Sequence, residues 1–321
     1  MGQFWNNDIN IFEKQYRLFK IKMKLFLDSR RARKSFDEIL EINRKKEPID
    51  IENPKTFDDK IWYMKKHFYS SLAVQCADKV QVREYVKECG LEEILVPVYG
   101  VYPSADEIDF TKLPNECYIK CNHTSGCNYL YRKGQTDEKW LRKLFSLYLK
   151  RNYYNVAREW VYRDIPPRII TEQKLESKEI LKDYRLFCFE GKLRMVLIND
   201  GTATEQGEHA KNVARSFYTP DFEWMPDITI LNEAKATRAL QKPKNWDQMV
   251  EIAQKLSAPF EFCRVDLYNI DGRIYLSEIT FFPFSGVNQF QPNEWALELG
   301  SWIDLEKCKN NPVYEYCEFP E

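Results

Sequence analysis

The chain has 321 residues, of which 44% are hydrophobic and 15% aromatic, enough for a large core and too apolar for a disordered chain. Its formal net charge of -1 excludes overall electrostatic attraction to nucleic acid. With no signal-peptide pattern and no apolar run of about twenty residues, a cytoplasmic protein of one enzyme-sized unit is expected.

Residues 11–34, IFEKQYRLFKIKMKLFLDSRRARK, carry nine Lys and Arg against Glu13 and Asp28. Lysines interrupt the apolar residues throughout, which rules out a membrane span. Two readings remain: a helix packed on the body with a solvated basic face, which we favour, or peripheral contact with an anionic membrane. NPKTFDDK predicts a loop and then a helix capped by Thr56 with an acidic first turn. A second helix is expected over 77–89, stopping at Gly90. ILVPVYGVY is strand-like, with Pro97 marking an edge or a strand end. Residues 118–122 read as a strand, HTSG as a loop, and 137–151 as a helix with aromatic residues on one side. After Pro166-Pro167 the period becomes two: RIITEQKL, then DYRLFCFEGKLRMVLIND, a hairpin on Glu190-Gly191. Residues 200–220 are polar and too long for a plain connection, so a mobile active-site loop is expected. A helix over 246–257 leads into RVDLYNIDGRIYLSEITFFPFSG. Helices in front, a small strand-loop-helix middle and an antiparallel sheet behind make the fold class α+β.

The nine cysteines fit reduced, buried thiols better than a disulfide framework. Cys117, Cys121 and Cys127 cluster near His123, but the spacing matches no usual zinc site, and apolar strand packing is the favoured reading.

In the last hairpin two carboxylates, Asp266 and Glu278, occupy strand positions that would normally be apolar. A two-residue Asp271-Gly272 turn pairs Asp266 with Ser277 and sends Glu278 to the opposite face. A three-residue loop, Ile270 to Gly272, instead pairs Asn269 with Arg273 and Arg264 with Glu278, leaving Asp266 diagonal to Glu278 on the face of Thr280. Local propensity favours the short turn. The odd loop is expected because two carboxylates on one face can share a hard cation such as Mg²⁺, with Arg264 beside it. Partly exposed strand charges with cationic neighbours are the equal alternative.

Magnesium held in this way usually bridges phosphates, so phosphate-binding groups are expected elsewhere. Lys120 sits inside the short strand YIKCN, where it needs an anion or a salt bridge. The following His123, Thr124, Ser125 and Gly126 can fold over phosphates with their backbone N–H groups. Arg185 and Arg264 add cationic density. Glu172, in IITEQKL, lies on a strand that could hold a nucleotide base.

Taken together, NPKTFDDKIWYMK, ADKVQVREYV, Lys120 with HTSG, IITEQKL, DYRLFCFEGKLR and RVDLYNIDGRIYLSEITFFPFSG resemble, in order, the TupA-like ATP-grasp family of bacterial polysaccharide biosynthesis over about residues 50–305. The resemblance implies an ATP-grasp fold, with ATP clamped between two α+β lobes and carboxylate joined to amine at the expense of ATP. It implies Lys79 and Lys120 as phosphate contacts, His123, Ser125 and Gly126 as the phosphate loop, and Glu172, Gln173, Lys174 and Leu175 as the adenine hinge. Asp183 falls near the ribose or phosphates, Asp266 and Glu278 become Mg²⁺ ligands, and Arg264 faces an acyl phosphate, with Arg185 and Lys120 as further catalytic cations. Thr280 replaces the asparagine that such enzymes more often carry, and Thr124 replaces a Gly or Asp. The 200–220 segment, with His209, Lys211 and Arg215, is expected to be a lid gripping an acidic sugar, and Ser285 and Gly286 to contact substrate.

The chain then divides into a basic leader (1–50), an N-terminal α/β part (51–115), a central lid part (116–171), a C-terminal part (172–305) and a tail (306–321). The expected partners are an acidic sugar or polysaccharide precursor and an amino acid or small amine, with no nucleic acid. A sugar or alcohol kinase, or a non-catalytic nucleotide- or glycan-binding protein, are the alternatives.

Overall fold

The computed structural model describes residues 11–44, 48–177, 181–203, 213–231, 233–287 and 289–317, and the side chains of all of these except 201–203. Helices α1 (Ile11–Arg31) and α2 (Phe36–Asn43) come first. A capping box of Ser35 and Glu38 starts α2, and one of Thr56 and Asp59 starts α3 (Phe57–His67), satisfying N–H groups that a bare helix end leaves unpaired. The strand β1 (Phe68–Tyr69) follows.

The helix expected over 77–89 covers only α5 (Val82–Glu88), and a separate helix, α4 (Ser71–Ala77), ends where it was expected to begin. Asp78 separates the two. Its buried carboxylate accepts from Val80 N–H (2.8 Å) and Gln81 Nε2 (3.1 Å), a local bonding pattern that competes with the helix and holds Lys79 in a turn.

A four-stranded antiparallel sheet comes next, built of β2 (Val98–Tyr102), β3 (Glu116–Cys121), β4 (Asn128–Arg132) and β5 (Ile169–Gln173) in the order β2-β5-β3-β4. Hydrogen bonding in this sheet therefore runs across positions 115/116 and 171/172. Helices α6 (Glu138–Tyr148), capped by Asp137, and α7 (Tyr154–Ala157) lie between β4 and β5. In β3 the alternate residues Cys117, Ile119 and Cys121 are buried in one core with Trp140, Leu141, Leu144 and Phe145 of α6, so Tyr118 and Lys120 point the other way. All nine cysteines are free thiols. Cys117, Cys121 and Cys127 are buried, and among the described residues no group of three or more His, Cys, Asp and Glu could hold a metal ion.

A five-stranded antiparallel sheet carries the rest of the site. It is built from β6 (Leu181–Phe189), β7 (Lys192–Ala203), β8 (Ala214–Tyr218), and, after β9 (Thr229–Ile230) and α8 (Trp246–Ser257), β10 (Phe262–Ile270) and β11 (Arg273–Thr280), in the order β11-β10-β6-β7-β8. The Glu190-Gly191 turn has positive φ at both residues and joins Phe189 to Lys192, as the sequence predicts. Residues 200–203 and 214–218, expected in one long loop, are strand instead, while His209 and Lys211 lie outside the described residues. β12 (Phe290–Gln291) pairs with β9, and after α9 (Asn293–Ser301) and α10 (Leu305–Asn310) the chain returns in β13 (Glu315–Tyr316) to pair with β1.

Apolar residues of β10 and β11, Val265, Leu267, Ile274, Leu276 and Ile279, join Met249, Ile252 and Leu256 of α8 in the main core. The opposite face of the sheet changes character along its length. At one end Phe187, Phe189 and Phe262 pack around Phe57 of α3. Two residues further along the strands the same face carries Asp183, Arg185, Arg264 and Asp266.

Helix α1 rests on the four-stranded lobe through Leu18 and Ile21, with ion pairs Lys14–Asp137 and Asp28–Arg151, both at 2.8 Å. It packs on the body as expected, and its solvated face carries Lys22, Lys24 and Arg30 but is apolar along its centre. Phe12, Tyr16, Phe19, Met23, Phe26 and Leu27 are exposed there. Among the described residues no helix is long and apolar enough to cross a membrane.

Candidate functional site

The β10–β11 hairpin decides the site, and its geometry departs from the expected three-residue loop. The turn is the two-residue one, with Asp271 at φ 51° and Gly272 at φ 84°, and Ile270 pairs with Arg273. Parity alone would then part the two carboxylates. A bulge restores them: Leu267 pairs with Leu276, Asp266 pairs with Glu278, and Ser277 is the extra residue. The bulge keeps Leu276 and Ile279 buried while turning Glu278 to the face of Asp266. Arg185 pairs with Asp266 from the other side, so Arg185, Asp266 and Glu278 form one row across three strands. Arg264 pairs with Thr280, not with Glu278.

Arg264 grips Asp266 with two bonds, Nε–Oδ1 at 2.7 Å and Nη2–Oδ2 at 2.6 Å, and also bonds Thr280 Oγ1 at 3.2 Å. Its Nη2 lies 3.6 Å from Glu278 Oε1, which accepts from the Thr280 hydroxyl at 3.3 Å. Arg185 Nε bonds Asp183 Oδ2 at 2.8 Å and lies 3.9 Å from Asp266 Oδ2. The Phe284 ring covers both guanidinium groups, with centroid distances of 6.0 Å to Arg185 and 5.9 Å to Arg264.

Burial pushes the Asp266 carboxyl up to about 7, even though Arg264 pulls it down. Glu278 behaves differently. Loss of water around it pushes it up, yet Lys79, Arg264 and Arg185 outweigh that and hold it below the ordinary glutamate value, while its side chain keeps 41% of its surface open.

Glu278 opens into a cleft that it lines with Leu276 and Ser277 from this sheet, with Lys79 from the turn between α4 and α5, whose helices pack in the same main core, and with Lys120 and Glu172 from the four-stranded sheet. Lys120 Nζ bonds Glu172 Oε2 at 2.7 Å, so the strand lysine has the ion pair that its position requires. Lys79 Nζ bonds Thr124 O at 3.4 Å. Asp78 accepts from Asn122 Nδ2 at 2.9 Å and Asn122 Oδ1 accepts from Arg168 N–H at 2.6 Å, which ties the Lys79 turn to the end of β3. In the HTSG loop His123 and Thr124 are buried, whereas Ser125 is exposed and Gly126 takes φ 74°. Gln173 N–H bonds Pro97 O at 2.9 Å, Lys174 bonds Glu116 at 2.5 Å, and Leu175 is half-buried, so the end of β5 is tied to the segments on both of its sides.

Arg215, expected in the lid, lies on β8 opposite Asn199, which itself faces Asp183, and it pairs with Glu233. It is therefore on the row of Asp183, two strands away. Ser285 and Gly286 belong to a turn, 283–286, in which Phe284, Ser285 and Gly286 all have positive φ. Ser285 Oγ donates to Glu159 Oε1 at 2.6 Å, and Ser285 O accepts from the buried Lys65 Nζ at 2.8 Å. Gly286 O accepts from Trp62 Nε1 at 2.9 Å. Burial lowers the Lys65 ammonium and raises the Glu159 carboxyl. Asp78, Asn122, Lys65 and Glu159 were not foreseen from sequence. Only Lys65 gave a usable signal, since it lies at helical spacing from Ile61 and Trp62 on the apolar face of α3.

Asp266 and Glu278, opposite one another, offer oxygen donors of the kind a hard divalent cation takes, although no three His, Cys, Asp or Glu groups among the described residues converge on one metal position. Asp183, Asp266 and Glu278 stand on adjacent strands of one face, and Asp183 Oδ1 is buried without a hydrogen-bond partner. Asp266 has lone pairs beyond the two that Arg264 occupies.

Two antiparallel sheets meet at a cleft that brings lysines beside a carboxylate, and the fold is that of an ATP-grasp protein. The sequence model of the TupA-like ATP-grasp family matches residues 59–304, and the chain belongs to that family. No curated protein sequence matches it. Among solved structures it is similar to D-alanine–D-alanine ligase from Helicobacter pylori (15% identity, 77% of this chain and 69% of that one, TM-score 0.45). It is also similar to D-alanine–D-alanine ligase from Bacillus anthracis (15% identity, 73% and 68%, TM-score 0.43) and to L-amino acid ligase from Bacillus licheniformis (16% identity, 67% and 45%, TM-score 0.41).

Proposed function

We infer that the chain uses ATP and Mg²⁺ to activate the carboxylate of a uronic-acid-type sugar, in a surface polysaccharide or its precursor, and joins it to an amino acid or small amine. One observation supports the ATP site: Lys120 of the four-stranded sheet and Lys79, on the turn between α4 and α5, line one cleft with Glu278. The family's place in polysaccharide biosynthesis, stated above as a resemblance, supports the sugar.

A carboxylate is a poor electrophile, so one of its oxygens attacks the γ-phosphorus of ATP, and ADP leaves. The amine then attacks the carbonyl carbon of the acyl phosphate, phosphate leaves, and the amine nitrogen loses a proton. Lys79 and Lys120 hold the phosphates, the former over the exposed Ser125-Gly126 loop. Glu172 to Leu175 hold the base. Asp266 and Glu278 would hold Mg²⁺, with Asp183 near the ribose or phosphates, and the ion would supply positive charge against the negative charge developing on the phosphates. Arg264 and Arg185, stacked under Phe284, face the acyl phosphate oxygens, and the turn 283–286 borders the substrate end.

The test incubates the protein with ATP, magnesium, a panel of uronates and a panel of amines, and weighs the products. A product whose mass is the sum of acid and amine less one water, formed together with ADP and phosphate, is the expected result. A stable phosphorylated sugar, or no nucleotide turnover with any pair, overturns the proposal.

A further inference from the structure

Helix α1 has an apolar side that no described element covers. Phe12, Tyr16, Phe19, Met23, Phe26 and Leu27 recur at spacings of three and four, so at 100° per residue they fall within an arc of about 100°. Phe12 is 81% exposed and Phe19 60%, against 2% for Ile21 on the side that meets the lobe. Folding normally buries such residues. Seven of the twelve large apolar side chains left exposed among the described residues lie on this one helix, so the patch is a local feature rather than the ordinary scatter of surface apolar groups.

The rims of the patch are basic. Lys20, Lys24 and Arg31 follow one edge, Lys22 the other, and Arg30 falls in line with the stripe, with its guanidinium 5.7 Å from the Phe26 ring. Of the two acids of α1, Asp28 is paired on the inward side with Arg151 at 2.8 Å, and Glu13, on the same edge as Lys20 and Lys24, is paired with Arg17 at 2.7 Å. The open surface is thus aromatic along its centre and cationic along its margins.

We propose that α1 docks the four-stranded lobe onto an anionic lipid surface. Phe12, Tyr16, Phe19, Met23 and Phe26 enter the headgroup boundary while Lys20, Lys22, Lys24, Arg30 and Arg31 meet lipid phosphates, with the helix lying in the plane of the membrane. Charge selects this occupant over a second copy of the chain. Facing the helix with itself would bring cationic margins against cationic margins, whereas anionic headgroups neutralise both. The docking is independent of the ligase reading, because none of these residues lines the cleft.

The test is flotation of the full chain with vesicles of phosphatidylcholine alone, or of phosphatidylcholine mixed with phosphatidylglycerol. Partition at least ~10-fold higher into the mixed vesicles is expected, at roughly 1 kcal/mol or about five-fold per basic residue near the surface. Phe12→Ser, Phe19→Ser and Phe26→Ser together should lower partition by at least ~10-fold, and Lys20→Gln, Lys22→Gln and Lys24→Gln together should remove the preference for the anionic lipid. Since all six side chains lie on the open side or its margins, circular dichroism and thermal melting should match the parent protein. Equal partition of the parent into both vesicle types, or unchanged partition of the aromatic variant, overturns the proposal. So does a dimer in sedimentation that the aromatic variant loses while the parent ignores vesicles, which would assign the face to a second copy.

Discussion

Asp266 and Glu278 stand directly opposite one another across the β10–β11 ladder, although the two-residue turn that joins their strands would by parity put them on different faces. The bulge at Ser277 reconciles the two. It leaves Leu276 and Ile279 in the core and brings a second carboxylate beside the first, about 5 Å away between backbones.

Replacing either carboxylate should therefore damage catalysis more than the fold's geometry. Asp266→Asn and Glu278→Gln are each expected to cut ATP-dependent amide formation by about 100-fold or more, measured as ADP release with saturating substrates. Asp266→Asn should also lower stability to urea by about 3 kcal/mol, because it leaves the buried Arg264 without its two-bond partner. Glu278, half open to the cleft, should cost much less. Full activity in both variants would refute the carboxylate row as the metal site.

Lys120 should act on nucleotide affinity. Its bond to Glu172 holds it in the cleft before ATP arrives, and a charged hydrogen bond to phosphate is worth about 1.5–3 kcal/mol. Lys120→Met is thus expected to raise KM for ATP by about 10- to 100-fold while KM for the acid substrate changes little. An unaltered KM for ATP would place the triphosphate elsewhere.

His123 ties stability to pH. Burial lowers its pKa from 6.5 to about 4, so the neutral ring is the native form. The unfolded chain takes up the proton first, so this contribution is complete above pH 6.5 and fades as pH falls towards 4. Compared with His123→Gln, the parent should lose about 2 kcal/mol of urea stability between pH 7.5 and pH 5. Parallel losses in both proteins would show that the ring titrates normally.

Two glycines with positive φ separate strain from crowding. At Gly272 an added Cβ meets nothing within 4 Å, so Gly272→Ala should cost about 1 kcal/mol and leave kcat/KM unchanged. At Gly286 the same atom would lie 2.7 Å from Ile61 Cγ2 and 3.1 Å from the Trp62 ring. Gly286→Ala should cost about 3 kcal/mol in thermal unfolding and raise KM for the acid substrate, because the turn bearing Phe284 and Ser285 must shift. Equal effects at both positions would deny that the turn is part of the site.

Lys65 holds that turn from below. Its ammonium bonds Ser285 O and Ala157 O while Glu159 takes the Ser285 hydroxyl. Lys65→Met is expected to destabilise the protein by about 3 kcal/mol, leaving two buried carbonyls and a buried carboxylate without their cation. A melting temperature equal to the parent's would show the turn to be held otherwise.

Local rules made part of this protein legible in its sequence. The clustered thiols Cys117, Cys121 and Cys127 packed in an apolar core, Thr56 capped its helix, and Glu190-Gly191 turned its hairpin, because each depends on neighbours a few residues away. The rest depended on partners distant in sequence. Asp78 displaced the start of a helix expected over 77–89, in a turn that Asn122 locks, and the burial of Leu276 and Ile279 against α8 accompanies the bulge that turned Glu278 around. Packing against the four-stranded lobe chose which side of α1 faces outward, leaving aromatic residues exposed between the basic ones that were expected there. A sequence specifies what each short segment prefers, and only the folded chain sets which preferences yield when distant segments compete for the same core.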